Sequence, residues 1–234
     1  LCGHTLGSRL GPAAVRLAGI TETLTGRGLN VVDSGDISVD LSSQKGDGLK
    51  YFNQAQAAYR ELFKRTETAL QAGRMPLMIG GDHSLSIGSI GAALKHYEGD
   101  LAVLWIDAHV DINTPDTSPS GNLHGMPLAC LMNLPTSEQG LQGEQWKALT
   151  DEFGQYPLRP ERTAWFGLRD VDEGEAARLR AIPHEYTATM SDIDRKGLLS
   201  EMERFNQWLS NSNAKNLWIS FDVDSLDPFL APGT

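Results

Sequence analysis

Leu101-Ala102-Val103-Leu104-Trp105-Ile106-Asp107-Ala108-His109-Val110-Asp111 decides how this chain folds. Its first six residues are apolar without alternation, as in a strand buried on both faces at the centre of a parallel sheet. The run then stops in two carboxylates and an imidazole. Two more apolar runs end the same way. Residues 75–79 lead into Gly80-Gly81-Asp82-His83-Ser84, and residues 217–219 lead into Ser220-Phe221-Asp222-Val223-Asp224. Isolated charges at the ends of core strands are costly to bury, and a bound cation would compensate them.

Outward from that stretch, β-rich and helical segments alternate, the pattern of βαβ units around a mostly parallel sheet. Strands are expected at 29–33, 75–79, 101–106, 163–166 and 216–220. Helices are expected at 12–18, 51–72, 86–97, 124–132, 144–153, 174–181 and 197–210. Gly73 is placed to stop the long second helix. Residues 107–122 are rich in Asp, Asn, Thr, Ser, Pro and Gly and read as a loop. With no repeat, low-complexity tract or linker, residues 1–234 read as one domain.

Composition narrows the function classes. A formal charge of −10 with no basic cluster excludes a nucleic-acid face. No apolar run approaches the roughly 18 residues that span a bilayer, so no membrane partner is expected. Cys2 and Cys130 are too few for a disulfide framework or a thiolate zinc site, which favours a reduced, cytoplasmic setting.

Asp107, His109 and Asp111 share one face as long as the chain stays extended, and Asp222 and Asp224 follow the same spacing. With His83 they make four carboxylates and two imidazoles. With neutral imidazoles that set carries a charge of −4, which two divalent cations balance. Carboxylate and imidazole ligands without thiolate suit Mn(II), although Co and Ni accept similar sets. Two ions about 3.5–4 Å apart can share a nucleophilic hydroxide, so the expected chemistry is hydrolysis. Plainer readings stand beside these. Asp82 and Ser84 can cap the following helix, Asp227-Pro228 can be a turn, and Asp170, Asp172 and Glu175 can be helix-start acids. Asn113, Ser118, Ser120 and Asn122 suit hydrogen bonding to a carboxylate or ammonium, and His124 can carry protons near neutral pH.

The three motifs together resemble the ureohydrolases. Asp111-Ile112-Asn113-Thr114-Pro115, Ser120-Gly121-Asn122-Leu123-His124-Gly125-Met126-Pro127 and Gly167-Leu168-Arg169-Asp170-Val171-Asp172 with Glu175 resemble the arginases among them. The resemblance runs from Gly11-Pro12-Ala13 to the end. It implies a three-layer α/β/α fold with a mostly parallel central sheet, and two Mn(II) ions. Asp107 and Asp222 would bridge the ions, with His83 and Asp111 completing one site and His109 and Asp224 the other. A metal-bridging hydroxide would attack the guanidinium carbon of L-arginine and give L-ornithine and urea. Asp111 would orient the hydroxide or take its proton, and His124 would shuttle protons. Asn113 and Ser120 would contact the substrate α-carboxylate, Asp172 and Glu175 the α-amino group. A homotrimer or homohexamer and a place in arginine metabolism, as in the urea cycle, are implied as well. So is a chain lacking the family's first strand before Leu1 and, beyond Thr234, a glutamate that holds the guanidinium. An agmatinase, another guanidino-acid ureohydrolase and a non-catalytic metal-binding fragment are the alternatives. A phosphoesterase is disfavoured because no phosphate cradle is evident.

Overall fold

A computed structural model describes residues 7–39 and 48–231. Cys2, His4 and Pro232-Gly233-Thr234 therefore lie outside the described residues. The elements run α1 (Gly11–Leu17), α2 (Ile20–Gly26), α3 (Phe52–Gln71), α4 (Ser86–His96), β1 (Ala102–Ile106), α5 (Pro127–Leu131) and α6 (Gly140–Phe153). They continue with β2 (Thr163–Leu168), α7 (Glu173–Ala181), β3 (Tyr186–Thr189), α8 (Met190–Lys196), α9 (Leu198–Asn211) and β4 (Leu217–Phe221). The four strands form one parallel sheet in the order β3-β2-β1-β4.

Side-chain alternation sorts the sheet's two faces. Val103, Trp105 and Trp165 join Ile87, Ile90 and Leu94 of α4, together with residues of α3, α5 and α6, in one core. Ala102, Leu104, Ala164, Phe166, Tyr186 and Ala188 pack on the other face against Phe205 and Trp208 of α9. The layers are thus α/β/α, as expected. α3 and α4 approach closely because Gly88 has no Cβ. One there would lie 2.5 Å from the Tyr59 carbonyl.

Chain order places the ligand site. β1, β2 and β3 follow one another outward, and β4 then returns to the opposite side of β1. That reversal opens a crevice at the carboxyl ends of β1 and β4, where open α/β sheets bind ligands.

Two expected strands are absent from the sheet. Residues 29–33 and 75–79 have no ladder partner among the described residues, and Met75 and Leu77 are exposed. Apolar composition supplies a surface to bury but not a neighbouring backbone to pair with. The expected helix at 124–132 is split into a 3-10 turn, Leu123–Gly125, and α5, with Met126 between them. The structure adds three elements to those expected: α2, the short β3 and α8, whose Thr189–Asp192 capping box is complete.

Candidate metal centre

Each motif carboxylate or imidazole is carried by a different local device. Asp107 is the first residue after β1 and only 1% exposed, and its N–H donates to Phe166 O at 3.0 Å. The extended geometry expected for residues 107–111 does not hold, because β1 ends at Ile106 and the chain bends. Asp111 adopts φ 57°, a left-handed conformation uncommon for a residue other than glycine. That turn is anchored by the buried Glu175 carboxylate, which accepts the Asp111 N–H at 2.7 Å. On the third motif, Asp222 N–H donates to Ile106 O at 2.8 Å, which carries the β1–β4 pairing one step beyond the strands. Asp82 caps the 3-10 turn His83–Leu85 by accepting from Ser84 N–H, and Asp227 Oδ1 accepts from Phe229 N–H in a turn. The plainer readings of Asp82 and Asp227 are therefore realised.

These devices bring the predicted ligands together. His83 Nδ1 lies 2.7 Å from Asp107 Oδ2, 3.1 Å from Asp222 Oδ2 and 3.4 Å from Asp111 Oδ2. His109 Nδ1 lies 3.3 Å from Asp107 Oδ1 and 3.1 Å from Asp224 Oδ2. His83, Asp107 and Asp111 form one set of potential ligand atoms within 4.8 Å of one another, and Asp107, His109 and Asp224 form a second. Asp107 belongs to both.

The chemistry of this donor set fits cations. His83 Nδ1 and Asp107 Oδ2 are buried and face each other 2.7 Å apart, without hydrogen-bond alignment to each other or to any other group. Buried polar atoms left so are costly, and a shared cation would satisfy both. The His83 ring stacks on Trp105, with centroids 3.8 Å apart and planes 7° from parallel. Its Nε2 meets Ser220 Oγ at 2.8 Å. A neutral ring offering Nδ1 to a metal carries its proton on Nε2, and Ser220 is placed to accept it. The Ser220 contact was missed from sequence although Ser220 lies within the third motif.

The electrostatics agree. Burial opposes a charged His83 ring, yet Asp107 and Asp222 hold its pKa up to about 10. Asp107 and Asp224 likewise raise His109 to about 11. Burial, reinforced by the charge of Asp107, pushes Asp111 well above the usual carboxylate range. Burial also lifts Glu175 to about 7, against the Asp111 N–H that favours its anion. Asp224 is only partly buried, and its contact with His109, helped by the Ala108 N–H, outweighs that burial and lowers its pKa. Without cations, protons gather where positive charge is wanted.

The remaining predicted residues lie on the loop at 113–122, on the turn that follows it and at the start of α7. Asn113 is buried and donates through Nδ2 to Asp172 Oδ2 at 2.7 Å. Asp172 also caps α7, accepting Glu175 N–H at 2.9 Å. Ser120 Oγ accepts from Asn122 N–H at 3.2 Å. His124 sits on the turn Leu123–Gly125, and a Cβ on neighbouring Gly125 would lie 4.0 Å from Asp111 Oδ1. Two charged residues that carried no sequence signal, Lys50 and Arg178, also reach the loop at 113–122, and a third, Asp116, lies within it. Lys50 contacts its tip, while Arg178 and Asp116 meet at its base.

A three-layer α/β protein with a candidate two-cation centre at its sheet reversal is the class that fold and site define. Residues 3–234 match the model of the arginase family. The chain belongs to that family, and is a ureohydrolase with a His/Asp metal site. It is 39% identical over 237 residues to an arginase of Staphylococcus aureus strain MSSA476, covering 98% of this chain and 73% of that protein. Among solved structures, an arginase from Bacillus subtilis matches with a TM-score of 0.84 at 35% identity, over 99% of this chain and 74% of that one. One from Bacillus caldovelox matches with a TM-score of 0.83 at 36% identity, over 96% and 72%. Among the described residues, no helix is long and apolar enough to cross a membrane.

Proposed function

We propose that this protein, with two manganese ions bound, hydrolyses L-arginine to L-ornithine and urea. The observation that carries the proposal is the pair of ligand sets sharing Asp107 at the sheet reversal, in a chain of this family. When bound, such ions lower the pKa of a shared water toward neutrality and make it nucleophilic.

The chain's own residues divide the remaining work. Asp107 and Asp222 would hold both ions, with His83 and Asp111 completing one site and His109 and Asp224 the other. Asp111, fixed by Glu175, also takes up the proton of the attacking water. His124 passes a proton to the leaving amine. Asn113 and Ser120 bind the α-carboxylate, and Asp172 and Glu175 bind the α-ammonium. Asn113 and Asp172 are already in contact, which supports a shared recognition surface. The working assembly in this proposal is a homotrimer or homohexamer in the cytoplasm.

The test is urea release by the Mn(II)-loaded chain from L-arginine, agmatine and 4-guanidinobutyrate, alongside metal analysis. The proposal expects two ions per chain and a preference for L-arginine. Hydrolysis of agmatine but not L-arginine would overturn the substrate. Two tightly bound ions with no urea from any guanidine would overturn the hydrolase reading.

A further inference from the structure

Lys50 lies outside every motif, yet it reaches the loop that the proposed function assigns to the substrate carboxylate. Its Nζ donates to Ser120 O at 2.6 Å and to Asn122 Oδ1 at 3.0 Å, a contact between residues 70 and 72 positions apart in sequence. The loop tip is otherwise shaped by its own short-range bonds: Gly121 N–H to Ser118 Oγ at 3.0 Å and Asn122 N–H to Ser120 Oγ at 3.2 Å. Gly121 has φ 65°, which lets the chain reverse there. The loop base is closed by Asn113 N–H donating to Gly125 O at 3.1 Å.

The lysine starts from a fixed point. Leu49 is buried and donates its N–H to Gln145 Oε1 of α6 at 2.7 Å. Tyr51, in a left-handed conformation, then opens α3. The ammonium is thus held relative to the core while its hydrogen bonds end on the loop. Accepting from Lys50 also fixes the Asn122 amide, because the oxygen faces the ammonium and the Nδ2 donors face away. A cation beside a loop of neutral donors favours an anionic group there.

We propose that Lys50 is a positioning residue for carboxylate recognition. It sets the backbone of Ser120 and the amide of Asn122 in the arrangement that binds the substrate's α-carboxylate. This rests on the proposed hydrolysis of L-arginine. It makes Lys50 a determinant of preference between guanidines that carry the carboxylate and guanidines that do not.

The Mn(II)-loaded protein, Lys50→Met and Lys50→Arg would be compared on L-arginine and on L-argininamide, whose carboxylate is replaced by a neutral amide. Loss of a charge-assisted pair of hydrogen bonds should raise KM for L-arginine about tenfold in Lys50→Met while leaving kcat within about twofold. KM for L-argininamide should change by less than about twofold, and Lys50→Arg should recover most of the loss. Equal losses on both substrates, a fall in kcat alone, or no change would each overturn the assignment. Hydrogen exchange without substrate supplies a readout independent of turnover. The amides of 120–125 should exchange faster in Lys50→Met while those of β1 and the content of two ions stay as in the parent. If the parent released no urea, the proposed reaction would fail on its own. Unchanged protection of 120–125 would then still overturn the positioning role of Lys50.

Discussion

Asp107 and Asp224 supply ligand atoms to the same candidate cation position from adjacent strands, but their surroundings differ. β1 lies between β2 and β4, its first four residues are buried, and Asp107 is 1% exposed. β4 pairs only with β1 among the described residues, and Ile219 and Phe221 are 60% and 55% exposed. Packing holds one side of the centre. The other is held by the β1–β4 ladder and, beyond its end, by a few hydrogen bonds: Asp222 N–H to Ile106 O, Ala108 N–H to Asp224 Oδ1 at 3.1 Å, and Arg169 to the Asp224 carbonyl. The lesson is about division of labour. Burial within the sheet fixes the β1 side, while the β4 side, paired along one edge only, has more to gain from a bound cation.

The comparison breaks most decisively at the carboxylates themselves. Asp107→Ala should lose both ions, because Asp107 belongs to both ligand sets, while Asp224→Ala should keep one. With several kcal/mol of transition-state stabilisation gone, urea release by Asp107→Ala should fall at least about a thousandfold. Metal analysis after dialysis reads the stoichiometry directly. If Asp224→Ala is as empty as Asp107→Ala, the two sides are not independent and the contrast is wrong.

Removing the cations with a chelator probes the same difference without mutation. A ligand at a hundred times its Kd stabilises the bound state by about 2.7 kcal/mol, and the regions that depend on it open first when it leaves. Amides of β4 and of residues 222–225 should then lose about tenfold or more in exchange protection, while β1 amides change little. Equal loss across both strands would show that β1 is no better organised than β4.

How much of this was legible beforehand follows from the same physics. β1 was readable because a strand covered on both faces must be apolar throughout, and its polar stop then marks the sheet edge. The ligand residues were readable because three such stops shared one chemistry. Residues 75–79 looked equally strand-like, but pairing depends on a partner that the run does not specify. The left-handed turn at Asp111 has no mark of its own, since nothing in Val110-Asp111-Ile112 calls for it. It follows from Glu175, 64 residues away. Lys50, Arg178 and Asp116 were invisible for a similar reason: a lone charge off any periodic face looks like surface until its distant partner is known.

The smallest expected effect concerns the loop base, where Asp116 serves neither side of the centre. It accepts from Thr136 Oγ1 at 2.8 Å and from Ser137 N–H and Oγ at 3.1 and 2.8 Å, and pairs with Arg178 of α7 at 3.3 Å. Burial opposes its charge, but Thr114, Ser137 and Thr136 outweigh that and hold its pKa well below the ordinary carboxylate range. A carboxylate whose pKa falls on folding adds stability above its unfolded pKa of about 4, and that stability is lost as pH drops toward the folded value. Asp116→Asn in the chelated protein should therefore cost about 1 kcal/mol at pH 7. The gap from the parent should narrow once the pH falls below about 4. Urea denaturation on both sides of that pH measures the gap. A gap that stays constant or widens on acidification would mean that the loop base is held by shape rather than by the charge of Asp116. Arg178 would then tie the loop to α7 through Thr114 and Thr117 alone.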